Sequence, residues 1–169
     1  MSEYLQKLFP GLQTTRFQIT SPVDPAYNCI AWAANDASNY WWPVGEAAKI
    51  FWPPTVPPEE TLAAFSAIFV MLGYVASADE ALEPGFEKVA LFANAHEVPT
   101  HAARQLSSGL WTSKLGRAED IEHELHALEG EIYGAVAFLT TASYRLSRNK
   151  PTARGHHNRR FSVNVTSHI

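Results

Sequence analysis

Tyr27-Asn28-Cys29-Ile30-Ala31-Trp32-Ala33-Ala34-Asn35-Asp36 runs from a turn signal straight into a short apolar helical pattern, and it holds the single cysteine of the chain. Read as a helix that starts at Cys29 and ends near Asn35 to Asn39, it sets the thiol among unpaired backbone N–H groups at the positive end of the helix dipole. Those groups favour the thiolate and lower the thiol pKa. A nucleophile of this kind needs a base. Pro99-Thr100-His101-Ala102-Ala103-Arg104-Gln105-Leu106 offers one, His101, at the start of a strand-like run.

Upstream, Ser2 to Leu8 reads as a short helix stopped by Pro10-Gly11, and Thr15 to Ile19 alternates like a strand. Downstream, Tyr40-Trp41-Trp42-Pro43 and Phe51-Trp52-Pro53-Pro54 read as aromatic loops broken by proline. Pro57-Pro58-Glu59-Glu60-Thr61 opens a helix in which Leu62, Phe65, Ile68, Phe69 and Leu72 recur at helical spacing before Gly73. Tyr74 to Ala76, Lys88 to Ala93, Thr100 to Leu106 and Leu110 to Leu115 read as strands, the last two joined at Ser107-Ser108-Gly109. Arg117 to about Leu128 is expected as a helix with acids in its first turn, and Tyr133 to Leu139 as a closing strand. Helices first, then antiparallel strands with one inserted helix, predict an α+β fold.

With 169 residues the chain suits one domain, expected over residues 1–140. All 17 acidic residues precede Thr140, leaving seven basic residues against them and a formal charge of −10 on that part. So acidic a body does not suit phosphate backbones, and no nucleic-acid partner is expected. Residues 141–169 carry six basic residues and few aliphatic ones, and are expected to be a flexible basic tail. One cysteine, no leader-like start and no apolar stretch long enough for a bilayer together predict a cytoplasmic protein away from membranes. Export that needs no signal peptide stays open.

A thiol hydrolase of the papain type needs a cysteine at a helix start, an imidazole to take its proton and a polar group that fixes the tautomer of that ring. Cys29 and His101 fit the first two roles. Ser113, on the strand beside His101, and His123, on the expected helix, are candidates to orient the ring or contact substrate. Backbone N–H groups at the helix start, with Asn28 or Asn35, would receive a developing oxyanion. Tyr40, Trp41 and Trp42 would wall a groove. Zinc competes for the same residues, because His123 and His126 would share a helical face with Cys29 and His101 near. Its spacing matches no strong signature, so neither metal nor cofactor is expected.

Asp24-Pro25-Ala26-Tyr27-Asn28-Cys29-Ile30-Ala31-Trp32-Ala33, Leu82 to Leu91, Pro99 to Leu106, and Trp111-Thr112-Ser113-Lys114-Leu115-Gly116 through Ile121-Glu122-His123 together resemble an uncharacterised branch of the NlpC-like, papain-fold cysteine hydrolases. The resemblance spans roughly residues 20–140 and implies a Cys-bearing helix packed on an antiparallel sheet. It places Cys29 on the nucleophile and His101 on the base, with the Ser113-Lys114 strand alongside. The usual His, Asn, Asp or Gln of the third position is replaced by Thr112, Ser113 or Lys114. Asn28, Trp32, Trp41, Trp42 and Lys114 are the candidate substrate-binding residues. The implied function is hydrolysis of an amide bond in a peptide, protein or small molecule, as a peptidase, amidase or deamidase. The alternatives are a catalytically silent peptide-binding module and a secreted antibacterial effector with a matching immunity or regulatory protein.

Overall fold

The computed structural model describes residues 2–46 and 50–144. The first helix, α1 (Ser2–Leu8), gives way at Pro10 to a 3-10 turn (Pro10–Gln13), because proline removes a helical donor. Then follow β1 (Phe17–Ile19), α2 (Cys29–Ala33), α3 (Leu62–Met71), β2 (Val75–Ala76), β3 (Phe86–Ala93) and β4 (Pro99–Gln105). The chain continues through β5 (Trp111–Lys114), β6 (Asp120–His123), a 3-10 turn (Leu125–Leu128) and β7 (Ala135–Ser143). The strands form one antiparallel sheet in the order β1-β6-β5-β4-β3-β7-β2. The α+β expectation is met.

The sheet is covered on both faces. Val89, Leu91, Ala102 and Ala142 pack against α2 and α3, while Ala90, Phe92, Ala103, Trp111 and Ile121 pack against α1 and the two 3-10 turns. Strand β3 lies inside the sheet between β4 and β7 and is covered on both sides, which is why Val89-Ala90-Leu91-Phe92 is apolar on both faces rather than alternating. Thr61 caps α3 by accepting the N–H of Ala64 at 3.2 Å. The aromatic loops meet in a parallel bridge between Trp41 and Phe51.

Two expectations are corrected. Residues 117–128 do not form a helix: Gly116, at φ 60°, closes a turn in which the Leu115 N–H reaches Glu119 O at 2.9 Å, and Asp120–His123 then pairs with both β5 and β1. Acids near a turn resemble a helix start, but Ile121 and His123 alternate with the half-exposed Glu122, which is a strand pattern. The boundary at residue 140 also moves. Strand β7 runs to Ser143, pairing Thr141, Ala142 and Ser143 with Lys88, Glu87 and Phe86, so the sheet takes the first residues assigned to the tail. The rest of that tail, 145–169, lies outside the described residues.

Candidate active site

Asn28 builds the start of α2. Its Oδ1 accepts the N–H of Ala31 at 3.2 Å and that of Trp41 at 3.1 Å, and its Nδ2 donates to Trp41 O at 2.8 Å. One buried side chain thus caps the helix and clamps the aromatic loop to it. Asn35, the other oxyanion candidate, points elsewhere, to Glu87 Oε1 at 3.3 Å.

Cys29, the first residue of α2, is 5% exposed. Burial pushes its thiol up to about 11, although the backbone N–H groups of Ala102, Ile30 and Cys29 itself face the sulfur and favour the thiolate. The expected lowering is overturned here, because a five-residue helix carries little dipole and desolvation outweighs it. The resting residue is a neutral thiol. The Ala102 amide also locates it: the sulfur lies against β4, one residue from His101.

His101 is fully buried on β4. The register pairs Gln105 with Trp111, Trp111 with His123 and Ser113 with Ile121, so alternation puts His101, Ser113 and His123 on one face of three neighbouring strands. Their side chains connect. His101 Nε2 lies 2.9 Å from Ser113 Oγ, Ser113 Oγ lies 2.8 Å from His123 Nε2, and His123 Nδ1 lies 2.7 Å from the carbonyl oxygen of Glu124.

The proton positions follow from the carbonyl, which only accepts. His123 must carry its proton on Nδ1, so its Nε2 accepts the Ser113 hydroxyl proton, and Ser113 in turn accepts from His101 Nε2–H. The chain therefore holds His101 with a bare Nδ1. That atom is buried and has no hydrogen-bond partner among the described residues. Burial keeps His101 well below the usual histidine range, with a smaller contribution from His123, and holds His123 down at about 4. Both rings are neutral at pH 7.

Tyr133 lies parallel to His101, with ring centroids 4.0 Å apart, and Phe92 meets the same ring edge-on at 5.3 Å. Burial raises the Tyr133 phenol, and the nearby Cys29 raises it further, so this ring lies next to both thiol and imidazole. A cleft of about 420 Å³ opens over the thiol, lined among others by Asn28, Cys29, Tyr40, Trp42, Thr100 and Tyr133. Thr100 Oγ1 donates to the Tyr133 carbonyl at 2.5 Å and ties β4 to that wall.

Of the candidate substrate-binding residues, Asn28 and Trp42 line this cleft and Trp32, Trp41 and Lys114 do not. Trp32 donates from Nε1 to Thr112 Oγ1 at 3.0 Å and packs under Arg104 on the opposite sheet face. Trp41 is buried against Phe51, with its Nε1 on Asp36 at 2.8 Å. Lys114 is fully buried: its Nζ donates to Ala118 O at 2.5 Å, lies 3.5 Å from Asp120 and sits over the Tyr27 ring. It braces the turn after β5. Sequence reasoning missed Tyr133, which has no motif around it and is brought in by the return into β7.

The shared helical face imagined for His123 and His126 is absent, because His123 is on β6 and His126 is solvent-exposed between Glu80 and Glu129. Among the described residues, no three His, Cys, Asp or Glu side chains gather as a metal site. Nor is any helix there long and apolar enough to cross a membrane.

The chain belongs to a family described as a domain of unknown function, DUF7689, whose model matches residues 18–141. That span runs from β1 to β7 and holds Cys29, His101, Ser113 and His123. No curated protein sequence and no solved structure matches the chain.

Proposed function

We propose that this protein is a thiol hydrolase acting on an amide bond, with Cys29 as nucleophile and His101 as general acid and base, on a fold of the papain-like, NlpC-like kind. The observation that carries the reading is the bare, buried Nδ1 of His101, held in that state by Ser113 and His123; on β4, His101 lies one residue from the Ala102 amide that faces the sulfur. An unpaired buried nitrogen is costly, and a base awaiting a proton is a reason to retain it.

In the reaction, Nδ1 takes the thiol proton as Sγ attacks the substrate carbonyl carbon, so ionisation of the raised thiol accompanies attack. The backbone N–H groups around the sulfur are the donors for the developing oxyanion. The tetrahedral adduct collapses as Nδ1–H protonates the leaving amine. Water, deprotonated by the same nitrogen, then releases the acyl group from sulfur as a carboxylic acid. Ser113 holds the ring throughout, in place of the usual carboxamide or carboxylate. The proposed substrate is a peptide or other amide, and the proposed setting is the cytoplasm, where a free thiol stays reduced.

Incubation with a mixture of peptides and small amides is expected to release amine, detectable by mass spectrometry, and Cys29→Ser and His101→Gln are each expected to abolish that release. Turnover untouched by both variants would overturn the proposal. The depth of Cys29 favours a second reading, a silent peptide-binding module. Binding without turnover, retained in Cys29→Ala, identifies it.

A further inference from the structure

The cleft over Cys29 carries a cation in an otherwise acidic body. Residues 1–140 have a formal charge of −10; of the described cations, Lys7 and Arg16 lie away from the cleft, and Lys88, Arg104 and Lys114 are each paired with a carboxylate. Arg117 is not. It follows Gly116, whose positive φ turns the chain out after β5, and it lines the cleft with its guanidinium 5.3 Å from the Tyr40 ring centroid. No ion pair or hydrogen bond joins it to an acid among the described residues, which include every Asp and Glu of the chain. Glu46, on the same cleft, has a partner of its own.

The cation–π contact with Tyr40 holds the guanidinium at the wall, and its N–H donors serve a ligand. Five fixed donors on one planar group match a single carboxylate in two parallel bonds; the same fork fits a phosphate, but one cation in an acidic body balances the single charge of a carboxylate and not the nearly double charge of a phosphate. Resting on the proposed hydrolase reading, we infer that the substrate bears a carboxylate, and that Arg117 receives it while Sγ reaches the neighbouring acyl carbon. Tyr40 positions the arginine, and the aromatic walls take the apolar remainder.

Two small electrophiles test this without a known substrate. Iodoacetate and iodoacetamide both alkylate Sγ by displacing iodide, with the thiol proton lost to the base or to solvent, and they differ mainly in carrying a carboxylate or a neutral amide. The ratio of the two rates at Cys29, by intact mass, is expected to exceed that of the urea-unfolded protein about tenfold, the lower end of electrostatic steering into a cleft. Added salt should shrink it. Arg117→Gln should return it to the unfolded value, while Arg117→Lys keeps part of the preference. Native labelling with a ratio equal to the unfolded one, or unchanged in Arg117→Gln, overturns the carboxylate inference and leaves the hydrolase reading standing. Labelling by neither reagent faster than unfolding overturns both. Arg117 is exposed, so its variants are expected to fold.

Discussion

The Oγ of Ser113 lies 2.9 Å from Nε2 of His101, and this one contact joins the ring on the middle strand β4 to a second buried histidine, His123, two strands away on β6. The order of donors along that chain is fixed from its far end, by a backbone carbonyl. Nitrogen-15 NMR of histidine-labelled protein at pH 7 should accordingly show His101 protonated on Nε2 and His123 on Nδ1. Ser113→Ala should mix the His101 tautomers and cost about 2 kcal/mol, the ordinary penalty for unpairing buried polar groups. An unchanged His101 spectrum in that variant would show that the relay does not set the tautomer.

Acid stability should reflect the buried rings. His123 is held at about 4 in the fold by desolvation, against about 6.5 when unfolded, so between these values the unfolded chain binds the extra proton. Its contribution is complete above pH 6.5 and is lost as the pH falls towards 4, by about 3 kcal/mol from this ring alone. His101, also lowered by burial, adds in the same direction. Urea unfolding from pH 7 to pH 4 should show this slope, and His123→Gln should flatten it.

Asn28 is expected to matter more than a helix cap alone. Asn28→Ala removes the acceptor of two N–H groups and the donor to Trp41 O, and should cost about 2 kcal/mol in urea unfolding. Trp41 fluorescence should change with it as the aromatic loop comes off α2. Asn28→Asp retains the acceptor and should recover part of the loss.

Gly134 sits at φ 71°, where a Cβ would fall 1.9 Å from the carbonyl oxygen of Ala93. Both the backbone conformation and the missing space demand glycine there. Gly134→Ala should destabilise by about 4 kcal/mol, in the range reserved for severe clashes. A thermal melt within 2 °C or so of wild type would contradict that packing.

Much of this arrangement was legible from residue patterns. Asn28 before Cys29 announces a capped helix start, the α3 spacing announces its buried face, and Ser107-Ser108-Gly109 sets the hairpin, although its register puts Ser113 opposite Ala103, diagonal to His101 on the same face and not level with it. The misreading of Asp120–His123 has a physical cause: a turn on Gly116 followed by acids offers the same local signals as a helix start, and pairing with β1 on a distant part of the chain decides between them. The raised thiol is likewise a tertiary effect. The local backbone favours the thiolate, but the layers packed over Cys29 remove the water that would stabilise it. Tyr133 and Arg117 reach the cleft only through the closing of the sheet, which no local spacing encodes.

The central claim, that His101 activates Cys29, is tested most directly by the pH dependence of iodoacetamide labelling of the native protein, compared with His101→Gln, which keeps a donor toward Ser113. The account predicts labelling of wild type at pH 7 faster than global unfolding, and a loss of about tenfold or more in the variant, the lower range for general-base assistance. Equal labelling in both proteins, at the rate of unfolding, would contradict it and leave Cys29 as a buried structural thiol.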